Sequence, residues 1–229
     1  WRVCKDESKM IWEKEYKGAL KGVRRFNPKI ILYPYDGQKN VPPVFYDEEP
    51  DPLPGYEVSG FPVSVTFNEP DNTAIKVIDF ALFDQDGNTM ETKLLNAKND
   101  PHHKLNKREF ALLPLKRLKY DTDYTVELLY TMRGETKRLN WRFHTKRFDE
   151  PFFRIDHTGQ AITIRPNSSN ILYFPPQNPH DLITDVVFPD DLYVAFIDHN
   201  TLRLTADDHP PEHFKVKAGS REVEVTVDQ

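Results

Sequence analysis

Two periodicities divide this chain. Over residues 6–26, Trp12, Tyr16, Ala19, Leu20 and Val23 recur at spacings of three and four, an apolar stripe that predicts one amphipathic helix. Asp6 is placed to cap its free N–H groups, and Asn27-Pro28 ends it, because the residue before a proline avoids the α region. Lys14, Lys17, Lys21, Arg24 and Arg25 lie off the stripe. A basic amphipathic helix suits a membrane surface, but Glu13 and Glu15 dilute the basic face and favour packing on a neighbouring domain. After residue 29 the period becomes two. Ile30–Tyr33 is a short apolar run stopped by Pro34 and the Asp36-Gly37 turn; Val63, Val65 and Phe67 alternate with polar residues; Phe80–Phe83 leads into Asp84-Gln85-Asp86-Gly87-Asn88, a turn in which Gly87 takes positive φ. Phe110–Leu113 is a further strand, and Tyr124, Val126 and Leu128 alternate, as do Leu139, Trp141 and Phe143, which share one sheet face. The period continues through Ile162 and Ile164, Ile171–Phe174, Val186–Phe188, Leu192–Ile197, Leu202 and Leu204, and Val223, Val225 and Val227, with Asp198-His199-Asn200 as a turn.

Composition fits that pattern. Only 38% of the 229 residues are hydrophobic, but 12% are aromatic, enough for a core if the rings alternate along strands. Nineteen prolines against nine glycines imply short elements joined by stiff loops. Charge is uneven: residues 1–29 carry nine Lys/Arg against four Asp/Glu, residues 30–147 carry 16 against 18, and residues 148–229 carry six against 14. That asymmetry, with Pro151, predicts three segments: a helix or linker over 1–29, a β domain over 30–147 and a smaller β domain over 148–229, with a junction near 148–151 open to protease. The net charge of −5 argues against nucleic acid as a partner, since binding must displace phosphate counterions. Cys4 stands alone, which excludes an intrachain disulfide and a multi-cysteine zinc site. No apolar run approaches 18 residues, so no transmembrane segment is expected, and the start at Trp1 reads as a piece of a longer protein.

Five landmarks in order carry a family resemblance. Pro34-Tyr35-Asp36-Gly37 followed by Val41-Pro42 resembles the opening of bacterial immunoglobulin-like (Ig-like) modules, and Val63–Phe67 resembles their second strand. Phe80–Phe83 with Asp86-Gly87 is similar to their middle hairpin. Pro114-Leu115, Leu118, Thr122 and Tyr124-Thr125-Val126 are similar to the entry of a late strand, and Trp141–Thr145 to the closing strand. The resemblance implies a β-sandwich over about 30–147, in which a tyrosine early in the late strand bonds back to upstream backbone. Tyr33–Asn68 also resembles a segment that follows CAP (SCP-like) domains in some secreted bacterial proteins; the CAP histidine and glutamate strands are absent, so no CAP site residues carry over. The departure from the Ig-like pattern is a proline-rich insertion over 42–62. The fold expected is therefore all-β, an Ig-like β-sandwich followed by a second, smaller β-sandwich, with one N-terminal helix.

Candidate chemistry is sparse. Asp47, Glu48, Glu49 and Asp51 place four carboxylates in five residues, oxygen ligands of the kind calcium takes, although side chains on an extended loop diverge. Phe45, Tyr46 and Tyr56, with Tyr33, Tyr35 and Phe61 nearby, offer either a stacking platform for a ligand or anchors that pack the insertion onto its sheet. Asp84-x-Asp86-Gly87 resembles a fragment of a calcium loop without its closing glutamate. His209 and His213 are separated by Pro210-Pro211, which prevents helical i, i+4 geometry. No Gly-x-Ser-x-Gly, Ser-x-x-Lys or Gly-rich phosphate loop occurs. Three functions stay open: a non-catalytic adhesion or spacer module of a secreted or surface bacterial protein with a protein or glycan partner, an accessory carbohydrate-binding domain of an extracellular enzyme, or the C-terminal part of a CAP-like secreted protein. In each, the insertion is the expected functional surface.

Overall fold

A computed structural model of the chain describes residues 29–70 and 72–228. The predicted helix over 6–26, and Cys4, lie outside the described residues. Among those residues every regular element is a strand: β1 (Ile30–Tyr33), β2 (Gln38–Val41), β3 (Val44–Tyr46), β4 (Val58–Gly60), β5 (Val63–Phe67), β6 (Ile75–Phe83), β7 (Thr92–Asn96), β8 (Glu109–Pro114), β9 (Asp123–Met132), β10 (Glu135–Thr145), β11 (Phe152–Arg154), β12 (Gln160–Ile164), β13 (Ser169–Tyr173), β14 (Val186–Val187), β15 (Leu192–Asp198), β16 (Thr201–Ala206), β17 (His213–Ala218) and β18 (Arg221–Val227).

The first ten strands build two sheets, β1-β5-β8-β7 and β2-β10-β9-β6, and a two-stranded ribbon of β3 and β4. The first strand segment lies antiparallel to β5 in one sheet, and its continuation β2 lies parallel to β10 in the other. With β5, β6, β7, β8, β9 and β10 taken as B to G, the sheets read A-B-E-D and A′-G-F-C, the strand order of an Ig-like sandwich. One core joins the facing sheets. Val63, Val65, Phe67, Phe110 and Leu112 come from the first, and Leu82, Tyr124, Val126, Leu128, Trp141 and Phe143 from the second. The corner tyrosine is present: Tyr124 Oη accepts the Lys119 N–H at 2.9 Å, and burial pushes its phenol up to about 12. Trp141 is 2% exposed, donates its indole N–H to the Pro34 carbonyl at 3.0 Å and meets Phe80 at a centroid distance of 6.0 Å.

The remaining strands repeat the plan as β11-β13-β16-β15 and β12-β18-β17-β14, with β12 parallel to β18 just as β2 is to β10. The difference is that β11 runs parallel to β13. Ile162, Ile164, Leu172, Leu202, Leu204, Phe214, Val216, Val223 and Val225 fill a second, separate core. Two elements here are not marked by the apolar pattern used above. The strand β17 alternates Phe214, Val216 and Ala218 inward with polar residues outward, and β11 contributes only the half-buried Phe153 to the core.

Residues 42–62 are an ordered strap. Ribbon β3–β4 leaves the sandwich edge and returns over the outer face of β7 and β8, where Leu53 packs with Leu95 and Leu113 against Tyr56, Leu105 and Leu115. This is a satellite cluster of the kind that forms under long loops. Gly60 fixes the close approach: a Cβ there would sit 2.6 Å from Pro114 Cβ and 2.7 Å from the Lys116 carbonyl oxygen. The turn at 84–88 is closed by Asp84, whose Oδ1 accepts the Asp86 and Asn88 N–H groups at 3.0 and 2.9 Å, with Gly87 at φ 80°.

Replacing Trp141 by alanine is expected to lower the unfolding free energy by about 3–5 kcal/mol, as for other large core aromatics. Urea denaturation measures it, and a loss under about 1 kcal/mol, the range of surface substitutions, would place the side chain outside the core.

Candidate functional site

The sharpest concentration of buried polar chemistry lies where the two sandwiches meet. Arg117, on the β8–β9 connection, has a side chain only 3% exposed, and Asp198, at the end of β15, one 14% exposed. They pair in two places, Nη1 to Oδ1 at 3.0 Å and Nη2 to Oδ2 at 2.7 Å. The guanidinium carbon lies 5.0 Å from the ring centroids of both Tyr120 and Tyr173, one ring from each sandwich. The carboxylate is saturated. Besides Arg117, Oδ1 accepts the Tyr46 hydroxyl at 3.0 Å and the Asn200 N–H at 2.9 Å, while Oδ2 accepts the Tyr120 hydroxyl at 2.6 Å. Thr201 Oγ1 lies 2.9 Å from Tyr120 Oη and extends the network into β16. Arg117 Nε is buried without a hydrogen-bond partner among the described residues.

Desolvation alone would oppose both charges. Burial raises the Asp198 carboxyl, but the hydrogen bond and charge of Arg117, with Tyr120, overcome it and leave the group below the ordinary carboxylate range. Burial likewise works against the Arg117 cation, and the hydrogen bond and charge of Asp198 outweigh it, so the guanidinium is held more firmly protonated than usual. Burial is the main force raising the phenols of Tyr46 and Tyr120, which keeps them neutral donors toward Asp198.

The rest of the junction encloses this pair. The Val58 N–H of the strap donates to the Pro179 carbonyl of the second sandwich at 2.9 Å, and Tyr46 meets the His199 ring edge-on at 4.9 Å. Glu57 Oε1 lies 3.4 Å from His180 Nδ1. The connecting segment is also held. Phe148 packs on Tyr120 and Phe152 at centroid distances of 5.1 and 6.0 Å, Glu150 pairs with Arg203 at 2.8 Å, and the Pro151 carbonyl accepts the Ile171 N–H at 2.8 Å. Residues 148–151, expected from the sequence to be open, are therefore pinned on both sides.

Beside the pair lies a cleft of about 380 Å³. Its floor is the buried Val58, Leu118 and Tyr173 with Arg117; its rim carries Glu91, Lys116, Lys119, Arg154, Gln177 and Asn178, and Tyr56 and three prolines at 175, 176 and 179 complete the walls. A second, more open depression of about 650 Å³ lies against Asp84, Asp123, Glu127 and Arg142.

The sequence-derived candidates divide sharply. Tyr46 enters the junction, Tyr56 packs on the Leu53 cluster and lines the cleft, and Phe45 is half-buried on β3, its carbonyl accepting the Ser59 hydroxyl at 3.4 Å. Asp47, Glu48 and Glu49 are exposed, and Asp51 caps its own turn by accepting the Leu53 N–H at 2.7 Å. Among the described residues no group of three or more His, Cys, Asp or Glu side chains is placed to hold a metal ion. His209 pairs with its neighbour Asp208, and His213 lies at 3.3 Å from Thr226 on β18. Sequence reasoning passed over Arg117 and Tyr120, which sit inside the late-strand motif between Leu118 and its neighbours, and took Asp198 only as a turn residue. An arginine within a motif of apolar and corner positions was the available signal. Among the described residues no helix is long and apolar enough to cross a membrane, which says nothing of β-barrels.

No family model matches the chain. No curated protein matches it. Among solved structures it is similar to the endo-fucoidan hydrolase MfFcnA4 of glycoside hydrolase family 107, at 12% identity and TM-score 0.30 over 94% of this chain and 31% of that one. It is also similar to titin domains z1z2 in complex with telethonin, at 11% identity and TM-score 0.25 over 88% and 98% of the two chains. A third similarity is to the N-terminal part of the bacterial S-layer protein SbsC, at 9% identity and TM-score 0.28 over 94% and 47%. The chain thus spans about a third of the hydrolase's length. Nothing in these comparisons or in the structure supports the link to CAP domains.

Removing one partner of the buried pair, as in Asp198→Ala, is expected to cost about 3–5 kcal/mol, because Arg117 is then left charged and buried. The pH dependence follows from the lowered Asp198 value. Its folded pKa lies below the unfolded one, so the stability it contributes is present above about pH 4 and is lost as pH falls through the folded value. Thermal melts of the wild type and Asp198→Asn should therefore differ most near neutrality and converge in acid; a gap that stays constant would show that the carboxylate charge is not what stabilises the junction.

Proposed function

We propose that this chain is a non-catalytic module of a secreted or cell-surface bacterial protein, in which two Ig-like sandwiches are locked into one rigid unit that spaces or presents a binding surface to a protein or glycan partner. The observation that carries the reading is the desolvated Arg117–Asp198 pair, joined to the strap through Tyr46 and to both sandwiches through Tyr120 and Tyr173. A hinge between enzyme lobes or between mobile beads would leave such groups hydrated, since exposing this pair on every opening means breaking a saturated carboxylate. The ionisable groups of the junction are committed to one another, which supports a mechanical role for them over a chemical one. The resemblance of residues 30–147 to bacterial Ig-like modules supports an extracytoplasmic setting.

The test is limited trypsin digestion, because Lys146 and the exposed Arg147 lie in the connecting segment. The wild type should resist cleavage there, and Asp198→Ala should be cut there into two folded halves. Scattering should show a single fixed arrangement for the wild type and a broadened one for the variant. Equal cleavage of the two proteins at Lys146 and Arg147 would remove the rigid-unit reading.

A further inference from the structure

We infer that the cleft between the sandwiches is a binding site for an acidic sugar, a uronic-acid residue of a glycan. The inference rests on the rigid-unit reading, since the cleft is preformed only while the sandwiches hold their relation. Its volume of about 380 Å³ lies within the range of small-ligand pockets. The charge of its lining runs against the chain as a whole: Lys116, Arg117, Lys119 and Arg154 stand against Glu91 alone, in a protein of net charge −5. Arg117 is neutralised by Asp198, and Arg154 Nε lies 2.8 Å from Asp156. The ammonium groups of Lys116 and Lys119, by contrast, make no ion pair or hydrogen bond among the described residues, although the Lys119 charge also helps to hold the Asp84 carboxyl low. A cleft of this sign concentrates an anion.

Charge alone would fit any small anion, and the remaining groups narrow the class. The Glu91 carboxylate and the Gln177 side-chain amide carry no hydrogen bond among the described residues, and Asn178 uses only its oxygen, toward the His180 N–H at 2.8 Å. The rim therefore presents free acceptors and free amide donors next to the free lysines, above a floor that is apolar apart from Arg117 and the Tyr173 hydroxyl. A ligand that uses all of them has several hydroxyls, each able to donate and accept, and one carboxylate, on a compact ring with C–H faces for the proline and tyrosine walls. The Arg117 Nε–H, buried and unpartnered at the floor, adds a donor of the kind that a trapped water or ligand oxygen satisfies.

The experiment is a backbone-amide NMR titration of the full chain, at fixed ionic strength, with glucuronate, glucose and an acidic tripeptide. Glucuronate at about 10 mM, the scale for a weak single-residue contact, should shift the amides of Lys116, Lys119, Gln177 and Asn178, with glucose at least about tenfold weaker. The double substitution K116E/K119E should weaken glucuronate binding at least about tenfold while leaving the melting temperature and the trypsin resistance at Lys146 unchanged. Shifts absent from these residues, glucose binding as well as glucuronate, undiminished binding by K116E/K119E, or tighter binding of the tripeptide would each overturn the inference. A wild type that binds glucuronate here but is freely cut at Lys146 would support the cleft and remove only the rigid-unit reading.

Discussion

The structure turns on the cost of burying a carboxylate and a guanidinium where two domains meet. Neither Arg117 nor Asp198 is stable in a low-dielectric contact by itself, and their mutual attraction repays the lost hydration only if the remaining donors and acceptors are filled. Filling them recruits the Tyr46 hydroxyl from the strap, the Tyr120 hydroxyl from the first sandwich and the Asn200 N–H and Thr201 hydroxyl from the second. Displacing any one of these segments leaves a buried polar group unmet. That coupling links two sandwiches and an insertion through one network, and a network of this kind stabilises an arrangement only when complete.

The strap shows how an insertion becomes structural. Its outer residues, Asp47, Glu48 and Glu49, remain in water, while Leu53 and Tyr56 cover an otherwise exposed face of β7 and β8. Gly60 permits the contact with Pro114 that sets its height over the sheet. Proline-rich sequence loses little entropy on ordering, so a few apolar anchors suffice to hold it. Once held, it delivers Tyr46 to Asp198 and the Val58 N–H to Pro179 across the junction. The cleft is a by-product of the same geometry, since its walls come from the strap, the β8–β9 connection and the segment after β13.

Both halves repeat one strand order, yet they meet by opposite ends, the first presenting its β8–β9 connection and the second its β13–β14 and β15–β16 connections, so the contact is not symmetric. The first sandwich supplies the cation and the corner loop, and the second supplies the anion. The acidic excess of residues 148–229 is thus answered at the junction by Arg117 on Asp198, and elsewhere in that half Asp181 pairs with the buried Arg221 and Glu150 with Arg203.

What the sequence determined by itself was the local part of the fold. Alternation at Val63–Phe67, Tyr124–Leu128 and Leu139–Phe143 dictates strands and their inward faces, because a two-residue period leaves one choice of side for the core, and Tyr124 marks its corner through a contact only five residues away. Strand β17 was less legible, since the outward His213, Lys215 and Lys217 and the preceding prolines mask the alternation of Phe214, Val216 and Ala218. The carboxylates at 47–51 were prominent in the sequence, but Asp47, Glu48 and Glu49 lie exposed and Asp51 closes its own turn. Only the tertiary structure decided that Tyr46, Arg117, Tyr120 and Asp198 form one site, because they lie up to 152 residues apart and none belongs to a local motif that demands the others. Hydrophobic periodicity acts between neighbours along the chain, whereas the pairing of buried charges is settled by which surfaces meet.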